Sequence, residues 1–348
     1  MQVLVTGSAG LIGSEAVVFF DKLGASITGI DNNMRADFFG PKGDTKWNQE
    51  RLETICSRYK HCALDIRNRD ALGELFGRTK YDIVVHTAAQ PSHDLAAKRP
   101  FDDFDVNAVG TLNMLEMCRQ HSPEAVFLHL STNKVYGDGP NHVPLKELDT
   151  RWEYSTAEYA NGIAETFPVD RCLHSLFGVS KLAGDIMVQE YGKYFGMKTG
   201  VFRGGCLTGP QHSGVELHGF LSYLVLVALH EGAYTIYGYK GKQVRDQIHC
   251  CDVVSALWEF AQKPRPGEVY NLGGGKANSA SLAECVDLIA SITGKRPTLS
   301  YMNANRIGDH ICYYSDLRKF QNHYPSWRLT KTLPQIVEEI AAFVAVDR

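Results

Sequence analysis

The feature that most constrains the fold lies at the start of the chain, in the stretch QVLVTGSAGLIG at residues 2–13. An apolar, strand-forming run leads into three glycines, Gly7, Gly10 and Gly13, and an amphipathic run over residues 11–23 follows. This order of strand, tight turn and helix is typical of a dinucleotide-binding unit. The first glycine permits the turn, the second lets a pyrophosphate approach, and the third lets the helix pack on the strand. The free N–H groups of the helix N-terminus favour phosphate.

A second apolar run, residues 26–30, ends at Asp31, eighteen residues beyond Gly13. In dinucleotide-binding folds an acidic residue at about this position holds the adenine ribose hydroxyls. Its carboxylate would repel a 2′-phosphate, so the sequence predicts NAD rather than NADP. The alternative is a structural glycine turn beside a solvated aspartate, and the context of the motif favours the dinucleotide site.

The composition is that of a globular protein and argues against several classes of partner. The chain has 348 residues, 44% of them hydrophobic and 22% charged, which is long enough for two lobes. A net charge of −3 gives no reason to expect a nucleic acid or an anionic membrane as partner. No apolar run approaches the ~20 residues of a membrane span. Because the chain opens on a strand, we expect no signal peptide and a cytoplasmic location.

The cysteines and histidines do not indicate a metal site. Nine cysteines are scattered along the chain, Cys250 and Cys251 are adjacent, and no CxxC occurs. His212 and His218 have no ligand partners at useful spacing. We therefore expect free, mostly buried thiols in a reducing compartment, and no bound metal.

Strand-like and helix-period runs alternate through the first two hundred residues. This alternation predicts an α/β protein: a Rossmann-type doubly wound parallel sheet with a smaller mixed α/β C-terminal substrate lobe. We predict a cofactor domain over residues 1–203, joined by about 241–272, and a substrate lobe over 204–240 and 273–348. The predicted strands are 2–6, 26–30, 62–64, 83–86, 125–130 and 199–202, and the predicted helices are 11–23, 70–76, 101–119 and 175–195.

The later part of the chain has fewer regular signals. Residues 244–249 and 269–272 are expected to return to the sheet. Ser281 and Glu284 form a capping-box pattern that predicts a helix to about residue 292. A final amphipathic helix is expected over residues 333–344.

Polar residues follow several of the predicted strands, where a parallel sheet binds its ligands. Asp65 follows the third strand and could face the adenine. The segment HTAAQ at residues 86–90 ends the fourth strand with small residues that let the backbone pass close to a cofactor. The segment LSTNKVYG at residues 130–137 ends the fifth strand, and a long polar loop over 138–171 follows. A loop of that length is usually functional.

These segments together resemble a known family. The glycine motif at residues 7–13, the run Thr87-Ala88-Ala89, Thr132 ahead of Val135-Tyr136-Gly137, and Lys181 on a helix are similar to the extended short-chain dehydrogenase/reductases. These are nucleotide-sugar epimerases, dehydratases and decarboxylases, and the resemblance covers essentially the whole chain. It implies an NAD-dependent isomerase with a nucleotide-diphosphate sugar as substrate. It also implies a homodimer formed through helices 101–119 and 175–195.

Three further segments narrow the resemblance. Residues 131–138, 203–210 and 241–246 are most similar to the 2-epimerases of CDP-sugars within this family. This favours a CDP-sugar as substrate and epimerisation by transient oxidation and reduction of the hexose ring. A C4 ketone would not acidify the C2 hydrogen, so oxidation would occur at C2 itself or at C3. A 4-epimerase acting on another nucleotide sugar is the alternative.

The resemblance also assigns residues to the ligands. Its cofactor contacts fall on Gly7, Gly10, Leu11, Ile12, Gly13, Asp31, Asn32, Asp65, Ile66, Ala88, Ala89, Gln90, Asn107, Ser131 and Lys181. Its substrate contacts fall on Gln90, Thr132, Asn133, Lys134, Cys206, Arg245, Arg306 and Asp309. Arg203 is a further candidate for the diphosphate, since arginine pairs well with phosphate oxygens.

The chain departs from the family at the catalytic base. The family uses a tyrosine four residues before the lysine, but the helix here reads HSLFGVSK at residues 174–181, with Phe177 at the tyrosine position. Phenylalanine cannot accept a proton, so the base must come from elsewhere or the protein is a non-catalytic NAD binder. Because Thr132 and Lys181 are retained, we favour an active enzyme. The candidate replacement bases are Tyr154, Tyr159, Tyr136 and Cys206, of which the two loop tyrosines lead.

A second departure bears on the reaction. Sugar 4,6-dehydratases of the family carry an acid pair after the threonine, whereas this chain has Asn133 and Lys134. An amide and an ammonium cannot do that acid–base work, so dehydration is disfavoured.

Overall fold

The computed structural model describes residues 1–215, 219–304 and 308–347. Its strands are β1 Gln2–Thr6, β2 Ser26–Ile30, β3 Tyr59–Cys62, β4 Ile83–His86, β5 Val126–Thr132, β6 Leu145–Glu147, β7 Trp152–Tyr154, β8 Lys198–Gly204, β9 Cys206–Thr208, β10 Ala233–Tyr237, β11 Val244–His249, β12 Glu268–Leu272, β13 Ser279–Ser281, β14 Thr298–Met302 and β15 Cys312–Tyr313.

The helices alternate with the strands over the first half of the chain. They are α1 Leu11–Lys22, α2 Met34–Phe39, α3 Lys46–Ile55, α4 Arg69–Arg78, α5 His93–Lys98, α6 Pro100–Phe104, α7 Gly110–His121, α8 Ser175–Phe195, α9 Phe220–Leu229, α10 Cys250–Gln262, α11 Leu282–Thr293, α12 Arg318–His323 and α13 Leu333–Asp347. None of the described helices is long and apolar enough to cross a membrane.

A seven-stranded sheet in the order β12-β8-β5-β4-β1-β2-β3 organises the first part of the chain. Strand β1 pairs in parallel with both β2 and β4, and β4 pairs in parallel with β5. Because β1, β4 and β5 are covered on both faces, they read as continuous apolar runs. The predicted doubly wound parallel sheet is confirmed.

The third strand differs from the prediction. It is Tyr59–Cys62, rather than residues 62–64, and it forms the edge of the sheet. None of its residues is fully buried, so it lacks the apolar run that marks the inner strands. The more apolar residues after it belong to the loop that leads to Asp65.

The helix predicted over residues 101–119 is interrupted. It comprises α6, a π-helical turn over Asp105–Val109, and α7. Such turns occur often at functional sites. This one contains the predicted cofactor residue Asn107.

The chain divides into two compact units. The first comprises Met1–Val135, Leu176–Arg203 and Val253–Tyr270, and the second comprises Tyr136–Ser175, Gly204–Asp252 and the chain from Asn271 onward. The boundaries differ from the predicted ones, because the long loop and β11 belong to the second unit. Strand β12 joins the large sheet as expected, but β11 pairs with β9, β13 and β15 instead.

Each unit has its own apolar core. In the first, Leu4, Val84 and Phe127 of the sheet pack with Leu115 of α7 and Val188 of α8, all fully buried. In the second, α9, α11 and α13 form a helical cluster with side chains such as Leu224, Ile289 and Ile336. Full burial of one such side chain contributes about 1.5–3 kcal/mol.

Candidate functional site

The glycine turn has the geometry that a dinucleotide requires. Gly7 adopts a left-handed φ of 67°, and its N–H donates to Ile30 O at 2.8 Å. A Cβ on Gly13 would lie 2.0 Å from Gly7 O, so only glycine fits there. A Cβ on Gly10 would meet Gly7 O at 3.2 Å, with no other heavy atom within 4 Å among the described residues beyond the adjoining backbone. That open side is where a pyrophosphate can approach.

The first turn of α1 faces the same side. Gly10 is the N-cap and has no side chain to satisfy the first N–H groups, which belong to Leu11 and Ile12. A phosphate can accept these N–H groups and gains from the helix dipole. The residues of the turn therefore fit the cofactor predicted for them.

Asp31 lies beside this turn at the carboxyl end of β2. Its Oδ2 accepts from Ala9 N at 3.0 Å, and its Oδ1 accepts from Asn33 N at 2.8 Å. Burial raises the pKa of the Asp31 carboxyl, while these two N–H groups lower it. Asn32 donates to Asp65 Oδ2 at 3.1 Å. Two predicted adenosine residues, Asn32 and Asp65, are thus in contact, and Asp31 is bonded to the glycine turn.

The loop after β4 is held by buried amides. Gln90 accepts from Ser92 N at 2.6 Å and donates to Asp103 Oδ1 at 2.7 Å. Asn107 bonds both backbone groups of Gln90, accepting from its N at 2.9 Å and donating to its O at 3.0 Å. Both side chains are engaged inside the protein, which argues against the direct ligand contacts predicted for them.

Three other predicted cofactor positions, Ala88, Ala89 and Ile66, have no polar side chain and could contact a ligand mainly through the backbone. Ala88 N donates to Thr6 Oγ1 at 3.2 Å, and Ala89 is partly buried in the same loop. The side chain of Ile66 is 5% exposed and fills the space against Gly110. Any ligand contact at Ile66 would therefore come mainly from its backbone.

Lys181 is brought to the strand end that carries Thr132. Its buried ammonium donates to Leu130 O at 2.7 Å. Burial lowers the pKa of Lys181 to about 8, while Asp185 and Asp103 raise it. Thr132 is two residues further along β5 and partly exposed. These are the two retained members of the catalytic pattern.

The residues after Thr132 form a tight turn around its hydroxyl. Thr132 Oγ1 accepts from Lys134 N at 3.2 Å and lies 3.4 Å from Asn133 Oδ1. Asn133 is buried, and Lys134 is partly exposed.

Two predicted ligand residues instead form a buried ion-pair cluster. Arg203 donates through Nε to Asp185 Oδ2 at 3.0 Å and through Nη2 to Asp185 Oδ1 at 2.9 Å. Ser131 donates to the same Oδ2 at 2.6 Å. This bidentate pair satisfies the Arg203 guanidinium within the first unit, so the expectation that it binds a diphosphate is corrected. Ser131 is likewise engaged in the cluster.

Phe177 lies one turn before Lys181 on α8, at the position where the family has its tyrosine, and is buried. The imidazole of His93 lies against it, with ring centroids 5.0 Å apart and planes tilted by 59°. His93 is the first residue of α5, just after the loop that follows β4, and it is partly exposed. The sequence alone did not single it out, because a lone histidine after a strand has no specific signature.

The tyrosines proposed as replacement bases lie in the second unit and are held by other contacts. Tyr154 is buried, its hydroxyl donates to Cys312 O at 2.9 Å, and burial raises its pKa well above the usual value. Burial, with the Glu158 charge, also raises the pKa of Tyr159. The Tyr136 hydroxyl donates to Asn271 Oδ1 at 2.8 Å. The raised pKa values of Tyr154 and Tyr159 leave little phenolate near neutral pH, and the Tyr136 hydroxyl is engaged with Asn271, so these phenols are poorly suited to accept a proton.

The predicted substrate residues of the second unit are partly brought together. Arg245 Nη2 lies 3.7 Å from Asp309 Oδ1, and Arg245 Nη1 donates to Val244 O at 2.8 Å. Burial, then the Asp309 charge, raises the pKa of the nearby Tyr239. Cys206 lies on β9 and is partly exposed. Arg306 lies outside the described residues.

A sequence profile of the NAD dependent epimerase/dehydratase family matches residues 3–273. The chain belongs to this family. The matched segment includes the glycine turn, Asp31, Thr132 and Lys181, so the prediction of an NAD-dependent enzyme is confirmed.

Individual relatives agree on the family but differ in reaction. The chain is 30% identical over 330 residues to CDP-paratose 2-epimerase of Salmonella typhi, covering 92% of this chain and 93% of that protein. It is 29% identical over 350 residues to dTDP-glucose 4,6-dehydratase of Escherichia coli, covering 95% and 89%. The structure of Thermus thermophilus UDP-glucose 4-epimerase in complex with NAD superposes with a TM-score of 0.80 at 25% identity, covering all of both chains.

Among the described residues, no group of three or more His, Cys, Asp or Glu side chains could hold a metal ion.

Proposed function

We propose that this protein is an NAD-dependent nucleotide-sugar 2-epimerase that acts on a CDP-linked hexose. The observation that carries this proposal is the 30% identity to CDP-paratose 2-epimerase over nearly the full length of both chains. The resemblance of residues 131–138, 203–210 and 241–246 to the same branch of the family supports it.

The residues after Thr132 favour epimerisation over dehydration. Eliminating water from a sugar needs an acid and a base next to the threonine, and this chain has Asn133 and Lys134 there. The buried Asn133 amide neither gains nor loses a proton at neutral pH, so it is neither an acid nor a base there. The acid pair that the family resemblance implies for a 4,6-dehydratase is therefore absent at residues 133 and 134 of this chain.

In the proposed reaction, bound NAD supplies a hydride acceptor that later returns the hydride. Residues of the glycine turn would hold its pyrophosphate, and Asp31 its adenine ribose. Lys181, fixed on Leu130 O, would hold the nicotinamide ribose and place a positive charge near the reacting oxygen. The Thr132 hydroxyl would donate to the substrate oxygen.

We assign the missing base to His93. Its imidazole packs on Phe177, the residue that replaces the tyrosine of the family. An imidazole has an ordinary pKa of about 6.5, so it can take a hydroxyl proton near neutral pH without the pKa shift that a phenol needs. The raised pKa values of Tyr154 and Tyr159 argue against those two phenols.

The Arg245–Asp309 pair of the second unit would bind the nucleotide part of the substrate. A guanidinium that is only 13% exposed and lies 3.7 Å from its carboxylate retains donors for a diphosphate oxygen. The carboxylate of Asp309 can accept a ribose hydroxyl.

The test is to incubate the purified protein with a panel of CDP-, UDP- and dTDP-hexoses and to assay the products by NMR. We expect a change of configuration at C2 of a CDP-sugar and no loss of water. Epimerisation at C4 of a UDP-sugar would instead favour the reaction of the Thermus thermophilus relative.

Running the reaction in D2O distinguishes the two routes to C2. Oxidation at C3 makes the C2 hydrogen acidic, so the product would carry deuterium at C2. Oxidation at C2 itself returns the original hydrogen as hydride, so C2 would stay unlabelled.

Phe177 supports one other function, a non-catalytic NAD-binding protein. That reading predicts that the protein purifies with NAD, that no sugar in the panel reacts, and that Phe177→Tyr creates activity. Activity of the unmodified protein on any nucleotide sugar would exclude it.

We also propose that the protein is a homodimer. Helix α8 carries exposed apolar side chains at Leu176, Val179 and Ile186, which are 49%, 47% and 41% exposed. Their spacing of three and seven residues places them on one face of the helix. A second copy of the same helix is the partner implied by the family resemblance.

A further inference from the structure

The thiol of Cys251 lies at the start of α10 in the second unit, and no role has been assigned to it above. Cys251 is partly exposed, and its Sγ lies 2.9 Å from Nδ1 of His249. The backbone N–H of Cys251 donates to the same Nδ1 at 3.1 Å. Because Nδ1 accepts that N–H, its lone pair faces Cys251 and the ring proton of neutral His249 belongs on Nε2. Nδ1 of His249 is therefore placed to take the proton of the Cys251 thiol.

The other side of the imidazole faces a carboxylate. Nε2 of His249 lies 3.1 Å from Oε2 of Glu339, and the second oxygen of Glu339 accepts from Lys331 Nζ at 2.5 Å. The contact between His249 and Glu339 has the distance of an ion pair but not hydrogen-bond geometry, so Glu339 acts on His249 through its charge, which stabilises the imidazolium that forms when His249 takes the thiol proton. His249 is buried, which limits competition by water.

The remaining charged groups around Cys251 do not cancel this arrangement. Asp252 Oδ1 lies 3.9 Å from Sγ, but its carboxylate accepts from Thr330 N, Thr330 Oγ1 and Lys331 N. Cys251 also lies in the first turn of a 13-residue helix, whose N-terminus stabilises a thiolate. The neighbouring Cys250 is buried and lies 3.8 Å from the same His249 nitrogen. Exposure therefore selects Cys251 as the reactive member of the pair.

We propose that Cys251 is a nucleophilic thiol that forms a mixed disulfide with low-molecular-weight disulfides, glutathione disulfide being the representative probe. His249 takes the thiol proton, and the Cys251 thiolate attacks one sulfur of the small disulfide. A new S–S bond forms, the original S–S bond breaks, and the leaving thiolate takes the proton back from His249. Cys251 is oxidised to the mixed disulfide, and half of the small disulfide is reduced to a thiol.

The first test compares alkylation rates of individual cysteines by iodoacetamide, in which a C–S bond forms and iodide leaves. Rates are measured by peptide mapping of the intact protein at pH 7. Cys62 is the internal control, because it is also partly exposed. We expect Cys251 to react at least tenfold faster than Cys62. His249→Asn should slow Cys251 at least tenfold and leave the rate at Cys62 unchanged.

The second test uses glutathione disulfide and needs no variant of His249. The unmodified protein should gain one glutathione at Cys251, Cys62→Ser should gain it equally, and Cys251→Ser should not. The alkylation rate of Cys251 should also be nearly constant between pH 7 and pH 9, whereas an ordinary thiol with a pKa of about 8.5 reacts steadily faster over this range. Equal rates at Cys251 and Cys62, or a Cys251 rate that follows the ordinary thiol profile, would overturn the proposal.

Discussion

We propose that Asp31 and Arg35 together determine how the adenosine end of the site responds to a 2′-phosphate. The pKa of Arg35 is lowered to about 10 by burial, and the Asp31 charge raises it. The guanidinium also lies over the Phe39 ring, 4.8 Å from its centroid. A partly buried cation that interacts electrostatically with Asp31 would be available to a phosphate if the carboxylate were removed.

We therefore expect Asp31→Ser to weaken NAD binding about tenfold or more, the scale of a lost charge-assisted hydrogen bond, and to raise the share of NADP. The measurement incubates each purified variant with equal NAD and NADP and identifies the nucleotide released on denaturation. Asp31→Ser combined with Arg35→Ala is the matched control and should lose the gain in NADP. An unmodified protein that took both cofactors equally would contradict the role of Asp31.

His93→Asn should lower kcat by about 10²-fold or more on the accepted sugar, because a lost general base costs that much. The amide keeps a polar group of similar size but cannot take a proton. KM and bound NAD should change little, since His93 is not assigned to binding. Tyr159→Phe is the control and should keep near-normal kcat. A His93→Asn variant with normal kcat would show that His93 is not the base and would favour one of the loop tyrosines, Tyr154 or Tyr159.

Lys181 makes the stability of the protein depend on pH. Its folded pKa of about 8 lies below its ordinary value of 10.5, because burial disfavours the ammonium. Between these two values the unfolded chain binds more protons than the folded one, so the free energy of unfolding rises with pH. Well below pH 8 Lys181 is protonated in both the folded and the unfolded state, so it no longer makes the free energy of unfolding depend on pH.

We expect the difference in unfolding free energy between the unmodified protein and Lys181→Met to rise by roughly 2–3 kcal/mol from pH 7 to pH 10. Urea titrations of both proteins at several pH values measure this difference in unfolding free energy. The contributions of the other titrating groups cancel when the two proteins are compared. A difference independent of pH would show that Lys181 titrates normally. Lys181→Met should also lose bound NAD.

At the scale of single elements, the start of α11 shows how a local pattern fixes a helix end. The Ser281 side chain accepts from Glu284 N at 3.0 Å, and Glu284 Oε2 accepts from Ser281 N at 2.8 Å. This is the predicted capping box. The helix then runs to Thr293, one residue beyond the prediction, and ends at Gly294 in a left-handed conformation.

Ser281→Ala should lower the free energy of unfolding by about 1 kcal/mol, because the Glu284 N–H at the helix start loses its hydrogen-bond acceptor. Ser281→Gly is the matched control and should cost only a few tenths, since glycine is a better N-cap than alanine. The midpoint of urea unfolding at constant slope measures both. Equal losses in the two variants would indicate a packing effect instead of a lost cap.

At the scale of the whole molecule, the exposed apolar face of α8 predicts self-association. Placing charges there with Val179→Glu and Ile186→Glu together should convert a dimer to a monomer, as judged by light scattering. The substitutions lie at exposed positions, so bound NAD should be retained. Leu299→Glu, at a residue of β14 that is 41% exposed, should remain dimeric. An unmodified protein that is monomeric at all concentrations would refute the dimer.

Sequence patterns were sufficient to predict those elements whose structure depends on contacts between residues close together in the chain. The glycine turn, the parallel order of the inner strands and the cap at Ser281 depend on residues within a few positions of one another or on continuous apolar runs. The region that matches the family profile, residues 3–273, contains the glycine turn and these inner strands. For this reason β1, β2, β4 and α8 begin and end as predicted.

Contacts between distant segments were decided only by the tertiary structure. The local sequence around Arg203 does not distinguish an arginine that binds a phosphate from one that pairs with a buried aspartate. The Arg203–Asp185 pair forms because the fold places β8 next to α8. Strand β11 has the largely polar sequence VRDQIH, yet five of its six residues are buried, because it pairs with β9, β13 and β15 instead of joining the large sheet. The packing of His93 on Phe177 joins residues 84 positions apart. Local sequence carries the propensity of each segment, while the partner of a buried charge or a sheet strand depends on which distant segments the chain brings together.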